Sequence, residues 1–265
     1  MKRLMLLAIL AVALPLTAES VNLGTADSFG VLAGSTVTNT GSSTISGNVG
    51  LSPGSAVTGF PPGIVGGTIH AADAVANKAQ SDLTKAYNVA AGLTRTGTLT
   101  GQDLGGKTLT PGVYFFANSA QLTGMLTLNS LGNKNALFVF QIGSTLTTAS
   151  NSSVVFTNGL TDKNVFWQVG SSATLGTTTA FTGNILALTS ITMNNGAGIS
   201  CGSALARNGA VTLNNNVIGG NCGARTVTPE PGSLFLMGTG LVGIAGMVRR
   251  KLKLAGSVLR IGRCS

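Results

Sequence analysis

The stretch ATLGTTTAFTGNILALTSITMNNGAGISCGSALARNGAVTL, residues 173–213, carries one short pattern three times. Ala173-Thr174-Leu175, Ile191-Thr192-Met193 and Val211-Thr212-Leu213 each place a threonine between two apolar residues, at intervals of eighteen and then twenty residues. A repeat of about twenty residues is too short for a propeller blade and matches the length of one β-solenoid coil. The spacing therefore predicts stacked coils.

Other parts of the chain extend the repeat. Phe181, Ile199 and Val217 form a second series at intervals of eighteen residues. The segment VFQIGSTLTT from Val139 matches FWQVGSSATL from Phe166 and aligns Thr147 with Thr174. Short alternating runs with Gly and Asn between them occur along the rest of the chain and are typical of strands and turns. We therefore expect a mainly β fold.

Alternation along each strand sorts the side chains of the repeat by face. The apolar residues point into the coil, and the threonines between them point out and stack about 4.8 Å apart from coil to coil. Small, uncharged turn residues accompany this column. The predicted surface comprises Thr147, Thr148, Asn151, Thr174, Thr177, Thr178, Thr192, Asn195, Thr212 and Asn214. The alternative is that threonine is simply favoured in strands and asparagine in solenoid turns.

One segment departs from the β pattern. Residues 69–92 place Ala72, Val75 and the apolar side chains of later turns on one helical face, and Gly92 is a natural stop. A helix of this length spans about 33 Å, close to the height of roughly seven stacked coils. We expect the helix to lie along the solenoid and cover one of its faces.

Both ends of the chain have the composition of processed segments. Residues 1–18 combine a basic start, an apolar run and small residues near Ala18, as in a signal peptide, and the run is short for a membrane span. Near the other end, Pro229-Glu230-Pro231 precedes an apolar stretch over 233–248 and a basic cluster up to Lys253. This order closely resembles the PEP-CTERM sorting signal of Gram-negative bacteria, which acts as a temporary transmembrane helix and is cleaved by an exosortase. Residues 254–265 extend beyond the usual pattern, and we assign them no function.

The charge of the chain is concentrated in these end segments. They hold eight of the sixteen basic residues, and residues 19–225 keep eight basic against six acidic ones, a net charge of about +2. The few basic residues are scattered, so no nucleic-acid surface is expected. His70 is the one histidine, and Asp27, Asp103 and Asp162 are too far apart in sequence to form an evident catalytic pair. We expect no enzyme activity, cofactor or metal site.

The cysteines give a separate prediction for an exported protein. Cys201 and Cys222 are about one coil apart, which would bring them together in neighbouring coils, so we predict a disulfide near the C-terminal end of the domain. Cys264 would leave with the sorting segment.

The whole order of motifs resembles a known family. SFGVLAGSTVTNTG, GTIHAADAVANKAQSDLTKAYN and NVFWQVGSSATLGTTTAFTGNILALTSITMNNGA follow one another as in the ice-binding domain family of microbes, and the resemblance covers Phe29 to about Cys222. It implies a discontinuous right-handed β-solenoid with a long α-helix packed alongside, in which the N-terminal segment contributes coils beside the C-terminal ones. Relatives bind ice through one flat β-face, often with a Thr-Ala/Gly-x-Thr/Asn pattern. Thr148-Ala149-Ser150-Asn151 matches that pattern, whereas Leu175–Thr178 lacks its first threonine and Met193–Gly196 departs further.

Two functions remain open from the sequence. The first is an exported monomer that binds ice or ordered water, after processing by a signal peptidase and an exosortase. The second is a structural protein of the cell surface or biofilm matrix, with exopolysaccharide as its partner and no activity on ice.

Overall fold

The protein folds as a coil wound from three parallel β-sheets, with one α-helix against the first of them. The computed structural model describes residues 20–157 and 164–219. A short 3-10 helix, Gly24–Ser28, precedes the first strand. Sheet A, in spatial order, contains β7 (Ile69–Ala71), β4 (Asn48–Leu51), β1 (Phe29–Ala33), β22 (Ala204–Ala206), β19 (Asn184–Ala187), β16 (Val165–Val169), β13 (Phe138–Ile142), β10 (Gly112–Phe116) and β8 (Gly97–Thr98).

The other two sheets are built from equally short strands. Sheet B contains β11 (Ala120–Leu122), β14 (Leu146–Thr148), β17 (Ala173–Leu175), β20 (Ile191–Met193), β23 (Val211–Asn214), β2 (Thr36–Thr40) and β5 (Ala56–Thr58). Sheet C contains β6 (Ile64–Val65), β3 (Thr44–Ile45), β24 (Val217–Ile218), β21 (Gly198–Ile199), β18 (Ala180–Phe181), β15 (Ser153–Thr157), β12 (Met125–Asn129) and β9 (Thr108–Leu109).

Each complete coil adds one strand to sheet A, one to sheet B and one to sheet C, but the coils do not stack in chain order. The first coils, β1 to β7, form one end of the stack, and the helix then returns the chain to the opposite end. The later coils build back until β22, β23 and β24 pair with β1, β2 and β3. The predicted discontinuous solenoid with an adjacent helix is thus confirmed.

The helix, α1, spans Ala74–Gly92 and begins five residues later than the sequence predicted. Ile69–Ala71 pairs with β4 as the last strand of sheet A instead of forming the first helical turn. Asp73 then caps the helix, because its carboxylate accepts a hydrogen bond from the Ala76 amide at 2.8 Å. Val75, predicted to lie on the apolar face, is 41% exposed.

The helix packs on the outer side of sheet A. Leu83, Ala86 and Tyr87 are buried against outward apolar side chains of the sheet, including Phe166 and Leu186. At the C-terminal end of α1, the Gln141 side-chain amide donates to the carbonyls of Ala90, Ala91 and Leu93 at 2.9, 3.2 and 2.9 Å. These contacts satisfy carbonyls that have no partner within the helix.

Asp82 is a charged residue of α1, yet it is only 7% exposed. Its carboxylate accepts hydrogen bonds from Lys78, from Lys85 at 3.3 Å and from the Thr25 amide at 3.2 Å. The Lys78 ammonium, and then the Thr25 amide, hold the pKa of Asp82 below its ordinary value. An ionised Asp82 therefore joins the helix to the 3-10 segment that precedes β1.

Inside the coil, one apolar core is shared by the three sheets. Trp167 is fully buried, stacks on Phe140 with ring centroids 3.8 Å apart, and donates from its indole nitrogen to the Thr182 carbonyl at 3.0 Å. The expected series through Val217 is wrong by one residue. Ile218 aligns with Ile199 and fills the interior, whereas Val217 is 61% exposed.

Within the described residues, every strand pairing and both apolar clusters lie between Val21 and Gly219. Within the described residues, no helix is long and apolar enough to cross a membrane. The predicted signal peptide, the sorting segment with Pro229, Glu230 and Pro231, and the tail 254–265 lie outside the described residues.

Candidate functional site

A column of six threonines runs up the outer side of sheet B. The sequence had aligned Thr147, Thr174, Thr192 and Thr212, and the strand pairings place these four in direct register. Two more threonines continue the column from the first coils. Thr212 pairs with Thr38, and Thr38 pairs with Thr58. Gln121 takes the same position at the opposite end, beside Thr147.

Two further outward columns flank the threonines. The column before them is formed mainly by small hydroxyl-bearing residues, and the column after them varies more. The preceding column is Ser119, Thr145, Ser172, Ser190, Ala210, Thr36 and Ala56, and the following one is Thr123, Ala149, Gly176, Asn194, Asn214, Thr40 and Phe60. We call these three columns face B. None of their residues is Lys, Arg, Asp or Glu.

Hydrogen bonds between coils hold the side chains at the margins of face B. The Thr145 hydroxyl donates to the Ser119 hydroxyl at 2.8 Å. The Ala210 amide donates to the Ser190 hydroxyl at 3.2 Å. Since each contact joins neighbouring coils, it restricts the rotamers of the side chains concerned. This part of the surface is thus ordered before any ligand arrives.

The corner between sheets B and C carries the predicted turn residues. Asn151, Thr178, Gly196 and Asn215 occupy the same position in successive coils, all with positive φ, and the values of the three non-glycine residues are 62°, 56° and 50°. The Thr178 hydroxyl donates to the Asn151 side chain at 2.5 Å, and the Asn215 amide donates to the Asn195 side chain at 2.8 Å. The structure therefore brings Asn151, Thr178 and Asn195 together in an exposed ladder beside face B. Thr177 is half-buried at the same corner, and its carbonyl accepts from the Asn151 amide.

The structure corrects the prediction that Thr148 lies on the outer surface. Its side chain is 3% exposed, because Thr148 follows the outward Thr147 and so points into the coil. Its hydroxyl oxygen lies 2.8 Å from the Thr179 hydroxyl and accepts from the Gly176 amide at 2.9 Å. The position is therefore a satisfied interior site and cannot contact a flat external surface. The prediction counted Thr148 among the turn residues, whereas it is the last residue of β14 and follows the alternation of that strand.

Face B is open, unlike the outer side of sheet A, which lies under the helix. The outer side of sheet C is also open, but its register column mixes Ile64, Val217 and Met125 with smaller residues. Ile64 is 62% exposed. Of the two open sides, only face B among the described strands repeats one residue type from coil to coil.

A carboxylate lies at the end of face B that is formed by the edge strand β11, where Asp103 makes a β-bridge to Gln121. It accepts from the Gly105 amide at 2.6 Å and from the amide and hydroxyl of Thr123. Burial raises the pKa of Asp103, but these hydrogen bonds outweigh burial and leave that pKa below its ordinary value. Asp103 therefore serves to close the edge of the sheet.

The geometry of face B suits recognition of an ordered surface better than chemistry on a substrate. Backbone pairing sets hydroxyl and methyl groups about 4.8 Å apart between coils and about 7 Å apart along each strand. His70, the histidine considered as a catalytic candidate, contacts Asp73 at 2.7 Å and packs against the Phe29 ring at the N-terminus of the helix. Over residues 20–157 and 164–219, no group of three or more His, Cys, Asp or Glu residues could hold a metal.

Cys201 is disulfide-bonded. It follows β21 at the corner between sheets C and A. Its predicted partner, Cys222, lies outside the described residues.

Comparison with known proteins identifies the family to which this fold belongs. A family model described as ice-binding-like matches residues 31–219. The chain belongs to the ice-binding-like family. A second model, the PEP-CTERM protein-sorting motif, matches residues 227–251, in agreement with the predicted sorting segment.

Several relatives in the ice-binding-like family share most of the chain. An ice-binding protein of Nostoc sp. (strain HG1) is 60% identical over 236 residues, which cover 87% of each chain. An ice-binding protein of Flavobacterium frigoris (strain PS1) is 34% identical and covers 76% of this chain and 77% of its own. The crystal structure of an ice-binding protein from the Antarctic ascomycete Antarctomyces psychrotrophicus matches with a TM-score of 0.73 at 39% identity, over 76% of this chain and 98% of the other.

Sequence reasoning missed Thr38 and Thr58 as members of the threonine column. Both have a local signal, since STVTNT at Ser35 and SAVTG at Ser55 place a threonine after an inward valine. Their distance in the chain from Thr212 hid the alignment, because a repeat search follows chain order and the coils do not.

Proposed function

We propose that this protein is exported and adsorbs to ice through face B, inhibiting ice growth or recrystallisation. The observation that carries the proposal is the register of six threonines on an open, charge-free wall. The similarity to ice-binding proteins over most of the chain supports it.

Adsorption would follow from matching the surface of a solid. Rows of methyl groups limit how strongly the bound water is pulled from lattice positions, and the hydroxyl groups next to them hold that water by hydrogen bonds. A Lys or Glu side chain would organise its own hydration shell and would compete with the lattice. Because the strands are joined by backbone hydrogen bonds across seven coils, the spacing of the threonines stays fixed while ice forms against them.

The site comprises the threonine column, its flanking columns and the adjoining corner. The residues proposed to contact ice are Thr38, Thr58, Thr147, Thr174, Thr177, Thr178, Thr192, Thr212, Asn151, Asn195 and Asn214. They act by position, and no cofactor, metal or covalent step is involved. The protein would bind as a monomer.

Export follows from the two end segments. The sorting motif over residues 227–251 supports delivery to the surface of a Gram-negative cell. We propose that a signal peptidase removes residues 1–18 and that an exosortase cuts near Pro229-Glu230-Pro231, which leaves the domain secreted or held at the surface.

The test uses residues 20–225, which include every described strand pairing and both apolar clusters. Thr174→Tyr and Thr192→Tyr put a bulky ring in the middle of face B and should abolish thermal hysteresis and inhibition of ice recrystallisation. Ala180→Tyr is the matched control, because Ala180 is exposed on sheet C in the same coil as Thr174. It should leave both activities intact.

Two results would contradict the proposal. Wild-type protein without activity on ice would favour the alternative, a structural protein of the cell surface or exopolysaccharide matrix. Equal losses from Thr174→Tyr and Ala180→Tyr would move the ice contact away from face B.

A further inference from the structure

The two ends of the stack of coils differ in how the apolar core is closed. At one end, β8, β9 and β11 are the outermost strands of their sheets. The loop between β8 and β9, residues 99–107, closes this end, because Leu104 is fully buried in the core and its amide donates to the Gln121 carbonyl at 2.9 Å. Asp103 and Lys107 of the same loop place charges of both signs there. We call this the closed end.

The opposite end, formed by β5, β6 and β7, leaves the core open. Ile69 and Ala71 have the register of Val49 and Leu51, which are fully buried in the core. Ile69 is nevertheless 42% exposed, and Ala71 is exposed as well. The other apolar side chains that pack against the core from this coil are only half-buried, and they are Val57, Phe60 and Val65. We call this the open end.

The open end also has three free strand edges. Among the described strands, β5, β6 and β7 each pair with a neighbour on one side only, so the backbone groups on their outer edges have no strand to pair with. Proteins usually protect such edges with charged side chains. Residues 28–72, which include these strands, contain no Asp, Glu, Lys or Arg. The edges of the open end therefore lack the common protection against pairing with another chain.

We propose that two copies of this chain associate head to head through their open ends. A second copy supplies what the open end lacks, namely a matching section of apolar side chains and three strand edges with the same spacing. A two-fold contact places a surface against its own copy, so any charge there would meet the same charge, and the uncharged coils avoid this repulsion. Rotation about an axis perpendicular to the stack reverses the strand direction, so the edges meet antiparallel.

This contact is weak and leaves face B uncovered. The three edges have only three, two and three residues, so they form few hydrogen bonds. Dilute protein is therefore a monomer, and the dimer forms in concentrated solution. The closed end offers no matching surface, so association stops at two copies. Since face B is a wall of the stack and not its end, the inference does not depend on binding to ice.

The first test is sedimentation velocity of residues 20–225 at concentrations from micromolar to millimolar. The wild type should change from monomer to dimer. Ile69→Lys should weaken dimerisation by about tenfold or more, because the contact brings two ammonium groups onto one apolar surface. Met125→Lys is the matched control, since Met125 is 53% exposed on sheet C near the closed end, and it should dimerise like the wild type. Circular dichroism checks that both variants are folded.

The second test determines which ends meet and does not require a charge at the open end. Thr58→Cys and Gln121→Cys each place an exposed cysteine at one end of the threonine column. The cross-linker is a flexible bismaleimide whose reach is shorter than the stack height of about 30 Å. Above the wild-type background, it should join two copies of Thr58→Cys and should not join two copies of Gln121→Cys.

Four results would overturn the proposal. They are a wild-type monomer at every concentration, association that continues beyond the dimer, equal dimerisation of Ile69→Lys and the wild type, and cross-linking of Gln121→Cys as efficient as that of Thr58→Cys. Loss of ice activity in Thr192→Tyr has no bearing on any of them, so failure of this inference and failure of the proposed function are distinguishable.

Discussion

Sheets A and B are two walls of the same coil, and they differ in the kind of side chain that points outward from them. Phe166 of sheet A and Thr174 of sheet B lie in the same coil, and so do Leu186 and Thr192. Phe166 and Leu186 are buried beneath the helix, whereas Thr174 and Thr192 are half-exposed. An apolar outward column needs a cover, because leaving it in water forfeits its burial free energy, and a hydroxyl-bearing column does not.

Sheet C shows that an open wall is not sufficient for regularity. Its outward column includes Ile64, Val217 and Met125, all more than half exposed, among Thr, Gly, Ala and Ser. The backbone spacing is the same as in sheet B. What separates the two walls is the repetition of one side chain, and that repetition is a property of sequence rather than of the fold.

The largest expected effect separates covered from open positions in one coil. Phe166→Ala removes a buried ring from beneath the helix and should lower the free energy of unfolding by about 3–5 kcal/mol. Thr174→Ala, on face B, should change it by no more than about 0.5 kcal/mol. Chemical denaturation of both variants measures the difference. Similar losses would mean that face B is also part of the folding core.

The second prediction asks whether charge or bulk matters on face B. Thr192→Lys should reduce ice-recrystallisation inhibition to background, since an ammonium group holds its own hydration shell. Thr192→Val keeps the size and one methyl group and should retain part of the activity. Ala180→Lys on sheet C serves as the control and should have no effect. Full activity of Thr192→Lys would contradict the proposal that face B must be uncharged to bind ice.

How far the sequence predicted these walls depends on whether a feature is local. Alternation within strands and the interval between coils placed Thr147, Thr174, Thr192 and Thr212 correctly, because neighbouring coils are also neighbours in the chain. Thr38 and Thr58 join the column through a pairing across the discontinuity, which no repeat in chain order reveals. The start of the helix was missed because residues 69–71 have a tertiary partner in β4 that overrides their helical spacing.

A third prediction concerns the cover of sheet A. Asp82 is ionised, with its pKa held below the ordinary value of about 3.9. It therefore contributes stability above that pH, and the contribution is lost as pH falls through its folded-state pKa. Asp82→Asn should lower Tm by a few degrees at neutral pH. The gap between variant and wild type should narrow below about pH 4. Asp27→Asn, at an exposed carboxylate in the neighbouring 3-10 segment, is the control and should leave Tm unchanged. A gap that stays constant with pH would show that Asp82 acts through packing alone.

The smallest expected effect is a gain in stability at the margin of face B. Thr178 holds a φ of 56°, a conformation that costs a β-branched residue about 1–3 kcal/mol, while Asn151 and Asn215 occupy the stacked positions. Asparagine adopts this conformation more readily, and its side-chain amide could donate to the Asn151 side chain, which accepts from the Thr178 hydroxyl in the wild type. Thr178→Asn should therefore raise the free energy of unfolding by up to about 1 kcal/mol, and Thr177→Asn, at an ordinary φ, should not. If both variants also keep their activity on ice, the corner supports the wall without touching the lattice; if Thr178→Asn alone loses activity, the ice contact extends from face B around the corner.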